Sequence, residues 1–531
     1  MWQKGWRDRI WSNLDKEWDI IIIGGGITGA GILCEASRRG LNALLVERGD
    51  FATGTSSRSS KLVHGGMRYL RNFQFKVTLE SVSEREYLID EGKGLVHKMD
   101  MLFASQRGDK IPAWMMGFGI IVYSLMARRW QYAHYDRSEI QDQYPLLTGE
   151  NLTGGFPFVD ALTDDARLTL RVIQESVRHG GTAINYASAV DLLKDHRGRV
   201  RGIALEDHSI EGAGRTAEVR ARLVISATGA WGDKLRSKIG LGARLRPLRG
   251  SHLVFPHERL PLTKAINLNH PRDGRPVFVF PWEGVTVAGT TDVDAGDDLP
   301  PDPSISQLEA EYMLEYIQTA FPGQELTERD VISTWSGIRP VINTGKANPS
   351  NESREHAIWL EDGLLTVTGG KLTTFRVMAR DALRVARREL PVLPAQAKVC
   401  PVFDPIDQET VLELTESTLR EKSLQRFIGR YGMDCVQVLN RSEPGDMERI
   451  GPTPYHWAEL RWAAKAEGVL HLDDLLLRRV RLGLLLPDGA AEYLPEIRQI
   501  AQPELGWDDA RWRGEEENYL ELWKRAYSSI N

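Results

Sequence analysis

Asp19-Ile20-Ile21-Ile22-Ile23-Gly24-Gly25-Gly26-Ile27-Thr28-Gly29 is a β-branched run that breaks directly into G-x-G-x-x-G. The run predicts a buried parallel strand, because strands covered on both faces read as continuous apolar stretches. Ala30 to Arg39 (AGILCEASRR) continues as a helix and stops at Gly40, since glycine readily takes the left-handed turn that ends helices. Ala43-Leu44-Leu45-Val46 is then a second strand, closing on Glu47. Strand, glycine turn, helix, strand and acidic residue make one complete βαβ unit.

A glycine string alone would be only a tight strand-to-helix turn; with every other part in register, the unit predicts dinucleotide binding. The glycines let backbone N–H groups approach a pyrophosphate at the positive end of the helix. Glu47 stands 18 residues beyond Gly29, placed to accept hydrogen bonds from an adenosine ribose. Its charge disfavours a 2′-phosphate. NAD and FAD are not separated by this unit, and no second copy follows, so one dinucleotide is expected.

Further on, Thr53 to Tyr69 (TGTSSRSSKLVHGGMRY) is too polar for a core. It reads either as an ordinary serine-rich loop or as a set of small donors beside the pyrophosphate. Phe75 to Glu91 reads as a helix, and Asp164-Asp165-Ala166-Arg167 precedes another that runs through Val177 and ends at Gly180-Gly181. Val200–Leu205, Ala217–Val219 and Leu223–Ser226 read as a meander closing on Ala227-Thr228-Gly229, a small turn that lets backbone approach a flat ligand. Gly250 to Gly289 is strand-rich and predicts a sheet lobe inserted into the nucleotide fold. Leu364–Thr368 is another buried strand, and Gly369-Gly370-Lys371-Leu372-Thr373-Thr374 turns it into a basic helix. That second helix N-terminus suits the electron-rich pyrimidine end of a reduced flavin.

The chain has 531 residues, enough at about 100–200 per domain for several domains or one large multi-lobed enzyme. Its net charge of −6 provides no basic field for nucleic acid. Cys34, Cys400 and Cys435 form no C-x-x-C and no paired framework, which fits a reducing compartment without zinc or disulfides. The amino end lacks an apolar signal region, so a cytoplasmic location is expected. The longest apolar run, Ala113 to Ala127, has 15 residues against about 20 for a bilayer span.

Seven strings occur in order: IIIIGGGITGAG from Ile20, SSRSSKLVHGGMRYL from Ser56, TDDARL from Thr163, GSHLVF from Gly250, GTTDVD from Gly289, SGIRP from Ser336 and GGKLTTF from Gly369. Together they closely resemble the FAD-dependent, quinone-linked (aerobic) glycerol-3-phosphate dehydrogenases, from about Asp19 to Leu390. The resemblance implies an α/β glutathione-reductase-like FAD-binding Rossmann fold, an inserted sheet-bearing substrate lobe and an all-α C-terminal domain. The FAD-binding domain is expected over 17–98, 160–247 and 341–390, and the substrate lobe over 99–159 and 248–340. A linker would follow at 391–405 and helices at 406–531, with 1–16 as an amphipathic helix.

The implied reaction is oxidation of sn-glycerol 3-phosphate to dihydroxyacetone phosphate, with electrons passed to membrane quinone. The chain would then sit at the inner face of the cell membrane, bind no nucleic acid and be able to form a homodimer. Carried over by position, Gly24, Gly26, Ile27, Thr28, Gly29 and Glu47 would hold the ADP half of FAD. Ser56, Ser57, Lys61, Leu62, His64, Gly65 and Gly66 would line the ribityl and isoalloxazine, with Thr228, Gly229, Gly370, Leu372 and Thr373. Substrate contacts would fall to Arg68, Tyr69, His252, Arg339, Arg354 and Lys371.

The residue chemistry is compatible with that assignment. A glyceryl phosphate is a dianion and needs forked or point cations, which Arg68, Arg339, Arg354 and Lys371 supply. Oxidation at C2 also needs a base for the hydroxyl proton; arginine stays protonated, which leaves His252, with Arg339 or Lys371 stabilising the alkoxide. The competing reading of His252 is a strand histidine satisfied by backbone, and of Arg354 a solvated loop residue. Arg58 reads as pointing to solvent, and Asp165 and Asp292 as shaping turns or pairing with arginines.

Rival functions are a glycerol-3-phosphate oxidase using oxygen, an amino-acid oxidase of the same fold, and a flavoprotein acting on RNA. Two segments could meet a membrane as interfacial helices. One is Ala113–Ala127 with Arg128-Arg129-Trp130; the other is the first eighteen residues, where Trp2, Trp6, Ile10 and Leu14 recur at helical spacing. Each could equally pack on the protein's own body.

Overall fold

The computed structural model describes residues 2–67, 74–109, 112–127, 132–149, 151–346, 352, 355–390, 393, 400–415 and 419–529. Most of the expected linker at 391–405, together with Arg68, Tyr69, Arg354 and Arg128 to Trp130, lies outside them.

The isoleucine run forms the centre of the first sheet. Strand order is His356–Glu361, Leu364–Gly369, Thr216–Ser226, Trp18–Ile23, Ala43–Val46, Thr182–Ile184. Every pairing from Leu364–Gly369 to Thr182–Ile184 is parallel, and Ile20 faces Ala43 on one side and Leu223 on the other. Ile20, Ile21 and Ile22 are therefore fully buried. Helix Ile27–Ser37 covers this sheet between Asp165–Arg178 and Phe375–Ala386. Gly31 permits the close approach of the last: an added Cβ would lie 2.8 Å from the Phe375 ring. The meander joins the same sheet as Ala187–Lys194, Val200–Asp207 and Thr216–Ser226. The last is one strand where two were expected, because Arg220-Ala221-Arg222 contains no turn former and stays on the ladder.

A second, nine-stranded sheet carries Leu245–Pro256 between Val285–Gly289 and Ser333–Ile342. It extends through Pro276–Trp282 and Ala265–Asn269 to the long strands Val96–Gln106 and Leu152–Thr163. The serine-rich loop is tied to both of its ends. Thr55 Oγ1 donates to the Ile338 carbonyl at 2.5 Å, and Val63 N–H donates to Ala161 at 2.8 Å.

Beyond residue 405 the described elements are helical, ending in Asp509–Ala526. Buried ion pairs seat them on the first sheet's helices and loops: Arg167 with Glu467, Asp50 with Arg478 and Arg479, and Arg430 with Asp164. Breaking one partner of such a pair typically costs about 3–5 kcal/mol, so these contacts hold the helical part in one seat.

The amino end corrects an expectation. Its helix covers only Trp6–Trp11, and Trp2, Trp6, Leu14 and Trp18 are buried. Arg7 reaches the buried Asp207 at 2.6 Å, and Trp2 makes a bridge to Glu467. The tryptophans at helical spacing fill the protein's own body. By contrast, helix Ala113–Met126 leaves Trp114, Met115, Phe118 and Leu125 exposed, Trp114 at 70%.

Candidate active site

The parallel strands Trp18–Ile23, Thr216–Ser226 and Leu364–Gly369 all end at one crevice, and each releases a glycine turn into it. Gly24 has φ +116°, and a Cβ there would sit 2.6 Å from the Ala227 carbonyl. A side chain on Gly29 would collide with the Gly24 carbonyl. Gly26 caps helix Ile27–Ser37 without any side-chain acceptor of its own, so Thr28 and its neighbours open the helix at its positive end. Ser56 Oγ accepts the Ile27 N–H at 2.9 Å. Glu47 accepts from Gly25 and Gly49 amides at 2.7 and 2.9 Å; burial raises its carboxyl while those amides oppose the rise. Thr228 and Gly229 face this turn from the neighbouring strand end, where Thr368 Oγ1 donates to the Gly229 carbonyl at 3.2 Å. Donor-rich backbone, no room for Cβ atoms and one carboxylate fit the ADP half of FAD.

Beside it lies a cavity of about 870 Å³ between the two sheets. Its wall includes Leu62 and His64 of the serine-rich loop, and Gly370, Lys371, Leu372 and Thr373 from the turn that follows the first sheet's strand Leu364–Gly369. Thr373 Oγ1 donates to the His64 carbonyl at 3.2 Å, joining the two expected flavin strings. Gly65 and Gly66 serve the turn: a Cβ on Gly65 would strike Tyr123, and Gly66 has φ +80°. Lys371 Nζ donates to Ser81 Oγ at 2.5 Å; burial lowers its pKa to about 8 against the pull of Glu80 and Glu355.

Arg339 enters from the second sheet. Its guanidinium donates to Asp292 at 3.0 Å, to the Thr291 carbonyl at 3.1 Å and to Thr290 Oγ1 at 2.8 Å. Gly250, on the adjacent strand, makes room for it, since a Cβ there would strike the guanidinium. Asp292 thus pairs with an arginine, as expected, and Asp165 pairs with Arg481 and Lys61.

Four residues sit differently from the expectation. Lys61, expected along the flavin, is fully buried, with Nζ 2.8 Å from Asp165 and 2.6 Å from the Ser57 carbonyl. Burial, then Arg481, lowers its pKa to about 7. Ser57 accordingly turns its carbonyl inward to Lys61 and Arg481. Arg58, expected in solvent, is buried and bound to Tyr527, Asp302 and the Pro301 carbonyl. His252 is only 1% exposed and lies behind the cavity wall, its ring stacked on Trp335 at 4.9 Å. Burial first, then the Arg339 and Lys61 cations, push its imidazole well below the ordinary histidine range, so it is neutral at pH 7.

Ser60 and Asn267 are among the wall residues absent from the expectation. Ser60 stands between His252 and the cavity, its Oγ 2.9 Å from His252 Nε2. Nothing in SSRSSK marks which hydroxyl points inward. Asn267 presents a buried Oδ1 that finds no partner among the described residues.

A doubly wound sheet with a glycine cradle, opening on a cavity walled by a second sheet, defines a flavin-dependent oxidoreductase. The family model of FAD dependent oxidoreductases matches residues 19–380, and that of the C-terminal domain of alpha-glycerophosphate oxidase matches 399–512. The aerobic glycerol-3-phosphate dehydrogenase of Bacillus subtilis is 32% identical over 97% of this chain and 96% of its own. That of Staphylococcus saprophyticus is 31% identical over 94% and 93%. Glycerol-3-phosphate dehydrogenase from Bacillus halodurans, solved with FAD, superposes with a TM-score of 0.78 at 27% identity, covering 98% of both chains. The chain belongs to the FAD-dependent, aerobic glycerol-3-phosphate dehydrogenase family, and its cofactor is FAD. A glycine oxidase from Bacillus cereus shares the fold over 72% of this chain at 18% identity, with a TM-score of 0.53.

Proposed function

We propose that the chain oxidises sn-glycerol 3-phosphate to dihydroxyacetone phosphate and passes the electrons to a membrane quinone. The observation that carries this reading is the pairing of Arg339 and Lys371 across one cavity, with a neutral histidine held just behind the wall. Two cations from opposite sheets suit a dianion better than a single carboxylate. Arg68, Tyr69 and Arg354 stay in the proposal as further substrate contacts on the resemblance alone.

FAD, when bound, supplies the hydride acceptor for C2. The chain's own residues do the rest. The glycine cradle, Glu47 and Ser56 hold the nucleotide end, while Leu62, His64 and Gly370 to Thr373 would flank the ring. Arg339 and Lys371 fix the phosphate or the C2 oxygen, and as cations they stabilise negative charge developing on that oxygen. His252, neutral, is the final acceptor of the hydroxyl proton.

Membrane contact is assigned to helix Ala113–Met126. Its exposed Trp114, Met115, Phe118 and Leu125 form an apolar face, and no described helix is long and apolar enough to cross a bilayer. An oxygen-using oxidase is the second reading, supported by the match of residues 399–512 to the C-terminal domain of alpha-glycerophosphate oxidase. The test is dihydroxyacetone phosphate formation with a quinone analogue, run beside an aerobic assay without it. Product with quinone and little peroxide in air is expected; rapid peroxide formation would overturn the choice of acceptor.

A further inference from the structure

We propose that Ser60 is the residue that takes the proton from the substrate hydroxyl and hands its own proton to His252. The inference rests on the reaction proposed above. Ser60 is part of the cavity wall, whereas His252 is sealed behind it at 1% exposure.

The histidine is fixed there. In the sheet it faces Gly289 on one side and Trp335 on the other. A Cβ on Gly289 would strike the imidazole, so the ring lies flat across that strand and stacks on Trp335 within 19° of parallel. A ring held in this way cannot swing into the cavity to meet a substrate. Its Nε2 instead meets Ser60 Oγ at 2.9 Å.

A hydroxyl can accept one proton and donate another through the same oxygen, which a cation, having donors only, cannot do. In the proposed step, C2 gives its hydride to FAD and its O–H proton to Ser60 Oγ. The Ser60 proton moves to His252 Nε2, with the imidazole already protonated at Nδ1, and the C2–O bond becomes the carbonyl. Two electrons leave with the hydride and one proton ends on the imidazole. The charged groups facing that ring are Arg339 and Lys61, and Lys61 is itself held by Asp165 with Arg481 behind. Both neighbouring cations favour loss of the proton from the imidazolium, so the ring returns to its neutral form between turnovers.

The test is anaerobic stopped-flow reduction of the FAD-loaded enzyme by sn-glycerol 3-phosphate, followed across pH. Ser60→Ala should slow flavin reduction by about 10²–10⁴-fold, the range for losing a general base, with flavin content and substrate Kd little changed. Ser60→Thr, which keeps the hydroxyl, should recover most of the rate. The Ser60→Ala, His252→Asn double variant should be no slower than the slower single, because both interrupt one proton path. A Ser60→Ala enzyme that matches wild type in rate and pH profile would overturn the relay. So would one that loses only substrate affinity, or additive effects in the double variant. Failure of the wild-type flavin to be reduced would instead overturn the underlying reaction.

Discussion

The Tyr527 hydroxyl accepts hydrogen bonds from Arg58 Nε and Nη2 at 3.0 and 2.7 Å, joining the last helix to the loop beside the cavity. Arg58 is buried, so its guanidinium depends on protein partners rather than water. Tyr527→Phe should therefore cost about 1–3 kcal/mol, the penalty for leaving buried donors unpaired. Chemical denaturation of the FAD-loaded enzyme should show that loss, with faster flavin release because Ser56 and Ser57 share the loop. An unchanged midpoint and unchanged flavin retention would remove this link.

Gly250 is expected to control substrate affinity without touching substrate. Gly250→Ala would push the Arg339 guanidinium, the movable end of a flexible side chain, away from its place over the strand. Losing one charge-assisted contact, worth about 1.5–3 kcal/mol, should raise KM roughly 10–100-fold with the fold intact. Steady-state kinetics check this, and an unchanged KM would place the phosphate away from Arg339.

The Lys371 ammonium, lowered by burial to about 8, should give substrate affinity a pH limb. The charged form binds the dianion and its population falls as pH rises through about 8, so KM should climb above that pH and stay flat below it. Lys371→Met should raise KM at neutral pH and abolish the limb. A wild-type profile flat from pH 7 to 9.5 would contradict this.

Membrane partition should follow helix Ala113–Met126. Trp114→Ser with Leu125→Ser, two exposed residues of that helix outside the cavity lining, should lower binding to anionic lipid vesicles in a flotation assay while anaerobic flavin reduction is preserved. Trp6→Ala should do the reverse, costing about 3–5 kcal/mol of stability by emptying a buried site and leaving partition unchanged. Equal partition for the Trp114/Leu125 variant would leave that face without a role.

The sequence was most informative where one chemistry had only one structural solution. Four consecutive isoleucines before a glycine turn have few homes outside a covered parallel strand, and Ile20 to Ile23 lie there. The strand at Leu364–Gly369 and its G-G-K-L-T-T turn were legible for the same reason. Val96–Gln106 and Leu152–Thr163 were not, because their mixed burial gives neither an alternating nor a continuous apolar pattern. The amino-terminal tryptophans have a spacing that serves a lipid surface or a protein groove equally well; only the distant Asp207 and Glu467 decide between them. Arg58 shows the same limit, since its partner lies 469 residues away. His252 was recognisable as a base, but its place behind Ser60 depends on Gly289 and Trp335 across two strand pairings.

The central claim is tested most directly by adding sn-glycerol 3-phosphate to the yellow, FAD-loaded protein without oxygen and recording the flavin spectrum. Complete bleaching, with one dihydroxyacetone phosphate formed per flavin and no bleaching by glycerol or glycine, is the predicted result. A spectrum unchanged by glycerol 3-phosphate, or bleached by an amino acid instead, would contradict the account.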